Sequence, residues 1–175
     1  MIAFLFGQAV IALTFAASVA SKLRDRGGFV QSVRAFQLVP PRLAGAVAAG
    51  LTSAEVVVVA LLAAGAVPAL TATVRPALLL ATALLLAYTG GLVSVRARGL
   101  HVPCHCFGAS PVPVSWYDVG RNVLLLAVAG VALAAGTRAR PLTGLDAVLV
   151  ALIGAAAALV VTNLATVVHT AAGTH

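Results

Sequence analysis

The sequence predicts an all-α integral membrane protein, a bundle of about five transmembrane helices with a four-helix core plus one. Three observations lead there. Of its 175 residues, 62% are hydrophobic and 9% charged, against roughly a quarter charged in an ordinary soluble domain. A water-soluble fold of this length has too few charges to clothe its surface. Five windows, 1–21, 43–67, 74–95, 116–136 and 145–168, meet or approach the roughly 20 apolar residues that cross a hydrocarbon core. The eleven Lys and Arg residues, source of the net charge of +7, fall between the apolar stretches, as in loops flanking membrane spans. They form no basic patch with interleaved aromatics, which argues against nucleic acid as a partner and leaves the lipid bilayer as the first one.

The first window is apolar from Met1 to Ala20 and ends in the small residues Ala16, Ala17, Ser18, Val19 and Ala20. A secretory signal carries positive charge before its apolar core. Here Lys22 follows the core, so a retained first helix with its N-terminus outside is expected. Residues 22–42 read as a surface loop in which 28–38 forms a short amphipathic helix. Phe29, Val33 and Phe36 recur at helical spacing, while Gln31, Ser32 and Arg34 face elsewhere. Pro40 and Pro41 end it.

The second window, 43–67, carries Glu55 near its middle, and the third, 74–95, is apolar throughout save Arg75. The fourth, 116–136, is the weakest because it holds Asp118 and Arg121. Its start still reads as a helix N-terminus: Ser115 is the cap, Asp118 the capping-box acid, and Trp116 and Tyr117 suit the membrane interface. Arg121 is expected to snorkel toward the headgroups. The fifth window, 145–168, completes a single unit over 1–175. Abundant Ala and Gly within the spans permit close backbone approach, and neither an internal repeat nor a phosphate-cradling glycine loop is present.

Chemistry concentrates in the loop 96–115, where His101-Val102-Pro103-Cys104-His105-Cys106-Phe107-Gly108 holds both cysteines of the chain. Buried alone in a span, a cysteine is ordinary apolar filler. Two together beside Pro103 and Gly108 in a polar loop point to function. In extended chain their Cα atoms stand about 7 Å apart, at the limit for a disulfide, so a bridge needs a tight turn. The small strained ring that results is easily reduced, the character of a pair that exchanges electrons. Protonated His101 or His105 would favour the attacking thiolate. A competing reading makes His101, Cys104, His105 and Cys106 soft ligands for copper or zinc, although three adjacent ligands crowd one tetrahedral ion. A third makes the pair a staple of its loop.

Glu55 is the other candidate. An ionisable group at the bilayer centre faces the bundle interior with a partner, here Asn163 or Thr14, and is either a proton carrier or structural hydrogen-bonding glue. His169 and His175, near the tail, read as solvated.

The chain resembles the MauE family of methylamine-utilisation membrane proteins. The resemblance rests on Ser21-Lys22-Leu23-Arg24-Asp25, on Val39-Pro40, on Glu55, on Cys104-His105-Cys106-Phe107-Gly108 and on Arg121-Asn122, and covers residues 10–135. It implies a DoxX-like bundle that works with thioredoxin-like proteins in forming envelope disulfides. More loosely it implies kinship with the vitamin K epoxide reductases, and hence a quinone as a second electron acceptor. That group carries a C-x-x-C pair plus loop cysteines, whereas this chain has one pair, so a relay through two internal pairs is excluded.

The expected function is therefore thiol-disulfide exchange between Cys104 and Cys106 and a thioredoxin-like partner, with His105 tuning the thiolate and Glu55 moving the proton. The alternative is an accessory protein that binds metal or assists assembly. With five spans, Lys22, Arg24, Arg26, Arg34, Arg42, Arg96, Arg98 and Arg121 lie on the side of the cysteine loop, and Arg75, Arg138 and Arg140 lie opposite. The positive-inside rule then places the loop in the cytoplasm.

Overall fold

Runs of Ala, Leu and Val, with proline only at their starts, wind into four long helices: α1 (Ile2–Arg24), α3 (Ala44–Ala64), α4 (Val74–Ala97) and α5 (Trp116–Ala135). A short helix, α2 (Arg26–Ala35), lies between the first two. The computed structural model describes residues 2–100, 102, 114–135 and 154. Among the described residues all regular structure is helical, and four helices are long and apolar enough to cross a membrane.

The long helices form a ring in which α1 packs on α3, α3 on α4, α4 on α5 and α5 back on α1. Short connections make neighbours antiparallel. Gln8 of α1 donates to the Leu62 carbonyl of α3 at 3.0 Å, whereas Ser18 meets Glu55 further up. Ile11, Phe15, Val58, Leu62, Leu78, Leu85 and Leu125 fill the centre. Leu79, Leu86, Val123 and Val131 point outward, as a lipid-facing surface requires. In lipid, burial of apolar groups drives helix association weakly, so close packing matters more. Gly7 supplies it: a Cβ there would stand 2.7 Å from the Ala132 Cβ and 3.3 Å from the Val128 carbonyl oxygen. Within the predicted fifth span, Gly154 is described; it is helical and buried, and a Cβ on it would lie 2.8 Å from the Ala9 Cβ. The rest of 145–168 lies outside the described residues.

Three local features depart from the sequence reading. Lys22 is no loop residue, because α1 runs on to Arg24. Asp25 alone separates α1 from α2 and caps the latter, its carboxylate accepting from the Gly28 N–H at 2.9 Å. Ser32 is buried rather than turned away, since it follows Phe29 by three residues and shares its inward face. Arg121 is buried one turn into α5 and not exposed, its guanidinium 3.7 Å from Asp118. Asp118 also accepts from the Ser115 N–H at 2.8 Å and from the Ser115 hydroxyl at 3.0 Å, which fixes the start of α5.

The end of α4 sets up the following loop. Gly99, at φ +66°, takes the left-handed position that an L side chain enters at a cost. Around it the Leu100 N–H donates to the Val95 carbonyl at 3.1 Å and the Gly99 N–H to the Arg96 carbonyl at 3.0 Å, the paired bonds of a Schellman ending. The chain is thereby turned back over the bundle.

Candidate functional site

Thr14, Ser18 and Lys22 recur every four residues along α1 and share its inward face. Side chains on a helix tilt toward its N-terminus. Lys22, near the last turn of α1, therefore leans down into the bundle, and Glu55 on antiparallel α3 leans up to meet it. The Lys22 ammonium is paired with Glu55 Oε1. Tyr88, from α4 diagonally across the bundle, donates its hydroxyl to the same oxygen at 2.7 Å and accepts from the Lys22 Nζ at 3.1 Å. The Ser18 hydroxyl lies 3.2 Å from Oε1 and 3.3 Å from Oε2. Two rings flank the ammonium, Phe29 of α2 at 4.6 Å and Tyr88 at 4.7 Å to their centroids. Lys22 is 2% exposed and Glu55 0%.

Burying two charges costs several kcal/mol per ion, about, and the arrangement offsets this with a complete set of donors around one oxygen and two π faces around the cation. Ammonium, carboxylate and phenol are thus in direct contact. A proton passed from Lys22 to Glu55 leaves two neutral groups, so the cluster can hold or shift a proton without creating net charge in the apolar interior.

Glu55 is central, as the sequence indicates, but its partners are Lys22, Ser18 and Tyr88. The Thr14 hydroxyl has no hydrogen-bond partner among the described residues, and Asn163 lies outside them. A signal for Lys22 was present. Glu55 is the one acid in the interior of a predicted span, and such a charge demands a cation, which the polar stripe on α1 supplies.

The cysteine-bearing segment is anchored at the same end of the bundle. The Val114 N–H donates to the Val102 carbonyl at 3.0 Å, so the segment's two described ends meet. Val114 is buried with Leu92 and Val95, and Phe36, Leu100, Val102 and Val119 pack around them. Arg98 donates to the Phe36 carbonyl, tying α4 to the end of α2, and the Arg96 guanidinium lies 5.7 Å from the centre of the Trp116 ring. Cys104, His105 and Cys106, with His101 of the alternative metal set, lie outside the described residues. Among the described residues no group of three or more His, Cys, Asp or Glu could hold a metal ion.

Residues 1–135 match the family model described as "Methylamine utilisation protein MauE". One curated relative, "Methylamine utilization protein MauE" of Paracoccus denitrificans, is 37% identical over 121 residues, covering 68% of this chain and 62% of the relative. The chain thus spans under two thirds of that relative's length. No solved structure matches.

Proposed function

The chain belongs to the MauE family, and from that premise we propose that it is a membrane thiol-disulfide exchange protein whose Cys104 and Cys106 trade electrons with a thioredoxin-like partner in envelope protein maturation. The setting we propose is methylamine utilisation, the process for which its relative is named. The observation supporting the proposal is the Val114 to Val102 hydrogen bond, which joins the two described ends of the C-x-C segment beside Leu92 and Val95. Val95 follows Tyr88 by seven residues on α4, two turns or about 10 Å, so the Glu55 cluster lies about two turns from those ends.

In the exchange, a partner thiolate attacks one sulfur of the Cys104–Cys106 disulfide. The S–S bond breaks, a mixed disulfide forms, and the released thiolate takes up a proton. The partner's second thiolate then attacks the mixed disulfide, freeing the other cysteine, which is protonated in turn. Two electrons and two protons reach the pair and the partner leaves as a disulfide; the reverse sequence oxidises the pair. His105 favours the thiolate when protonated, and the Glu55 cluster stores one of the protons.

A quinone as second electron acceptor is implied by the resemblance alone, and the exchange at Cys104 and Cys106 proceeds without it.

With Lys22 and Arg121 buried, Arg24, Arg26, Arg34, Arg42, Arg96 and Arg98 still gather at the loop end, against Arg75 at the other end among the described residues. We infer a cytoplasmic loop from this asymmetry. A cytoplasmic pair would meet a reducing pool and rest largely as dithiol. In intact cells a membrane-impermeant maleimide should leave both cysteines unlabelled after mild reduction, while a permeant one labels both; strong labelling by the impermeant reagent moves the chemistry to the envelope side.

The exchange itself is tested by Cys104→Ser and Cys106→Ser, one of which removes the resolving thiol. That variant should accumulate a reductant-sensitive adduct between its remaining cysteine and a thioredoxin-like protein. If no adduct forms and the wild-type chain instead carries one copper or zinc ion that Cys106→Ser loses, the accessory metal-binding reading replaces this one.

A further inference from the structure

Asn122 on α5 is 0% exposed, and neither its Oδ1 nor its Nδ2 has a hydrogen-bond partner among the described residues. The Thr14 hydroxyl on α1 is in the same position. Three other threonines inside helices, Thr52, Thr82 and Thr89, satisfy their hydroxyls on the carbonyl four residues back, at 2.7–2.9 Å. Thr14 forgoes that local solution. Buried polar groups are nearly always paired, so three such atoms at one level require a partner.

The helix register brings them together. Gly7 of α1 faces Val128 and Ala132 of α5. Two turns further along α1 on the same face is Thr14, and two turns back along α5 from buried Ala129 is buried Asn122. Because the helices are antiparallel, this register sets Thr14 at the level of 121–125, within about one turn of Asn122 along the seam. One turn above Thr14 on the same face is Ser18, whose hydroxyl touches both carboxylate oxygens of Glu55.

We propose that the α1–α5 seam at Thr14 and Asn122 is a binding site for water, and that this water extends the Ser18–Glu55–Lys22–Tyr88 network across the bundle to α5. A carboxamide offers donors and acceptors at once and a hydroxyl offers both, which is the set that a buried water with about three hydrogen bonds needs. The site's purpose, exchange of protons with Glu55, rests on the proposed role of that cluster; its occupancy does not.

The test is radiolytic footprinting of the intact chain in lipid nanodiscs, using microsecond X-ray pulses in water enriched in oxygen-18. Hydroxyl radicals born at an ordered water label the side chains beside it. Phe15 and Leu125, neighbours of Thr14 and Asn122, should incorporate oxygen-18 several-fold above Leu78 and Leu85, which are equally buried at 0–1% exposure. Thr14→Val, which keeps the shape, and Asn122→Leu should each bring that labelling down to the level of Leu78. Labelling of Phe15 and Leu125 no greater than that of the two reference leucines, or labelling that survives both substitutions, overturns the proposal. A dry seam would leave thiol exchange at Cys104 and Cys106 untouched, so the two proposals fail separately.

Discussion

Lys22 and Glu55, 33 residues apart in sequence, form an ion pair whose side chains are exposed by no more than 1%. The pair joins the last turns of the first helix to the middle of the second span, and through Tyr88 and Phe29 it also engages α4 and α2. Four helices thus converge on one charge pair.

Breaking such a pair from one side strands a buried charge. Lys22→Met or Glu55→Leu alone should lower the unfolding free energy by about 3–5 kcal/mol, while the double variant should recover most of that loss. Unfolding by SDS titration of mixed micelles reads each value. Single losses below about 1 kcal/mol, or a double variant that loses the sum, would show that the two residues are not coupled.

Gly7 has no room for a methyl group, its Cβ being 2.7 Å from that of Ala132. Gly7→Ala should therefore cost about 1–3 kcal/mol through overpacking, and Ala132→Gly in the same chain should restore much of it. Thermal unfolding of the single and paired variants measures the rescue; independent, additive losses would contradict the close approach of α1 and α5.

Two left-handed residues predict effects of opposite sign. Gly99, at φ +66°, should resist Gly99→Ala, with a loss of about 1–2 kcal/mol, because a Cβ is strained there. Gln37, at φ +54° after the end of α2, already bears that strain, so Gln37→Gly should raise the melting temperature. Equal behaviour at the two positions in thermal melts would argue against the backbone as the cause.

How much of this was legible in the sequence follows from the physics of each signal. The long helices were, because hydrocarbon demands runs of apolar residues whatever their neighbours, and the capping acid Asp118 was, because a cap is a local bond. The centrality of Glu55 was also readable, since charge at that depth needs a partner. Its partner was signalled only by the stripe Thr14, Ser18 and Lys22: Lys22 falls in the last turn of α1, where a basic residue ordinarily meets solvent or headgroups, and the tilt of side chains on antiparallel helices turns it inward. The burial of Arg121 was not legible either, since its side chain tilts toward the start of α5 and is covered there beside Asp118. Tyr88 carried no distinguishing signal, because a tyrosine within a span packs as an apolar body whatever its hydroxyl meets. Cys104 and Cys106 were conspicuous by composition alone and lie outside the described residues.

The account stands most directly on whether Cys104 and Cys106 interconvert. Equilibrating the purified chain in lipid against glutathione buffers of graded poise, and counting free thiols by mass after alkylation, should show a reversible two-electron transition at a relatively oxidising potential, with both thiols free at the reducing end and none at the oxidising end. A pair that remains bridged in the most reducing buffer, or never bridges in the most oxidising one, would contradict thiol-disulfide exchange as the function of this protein.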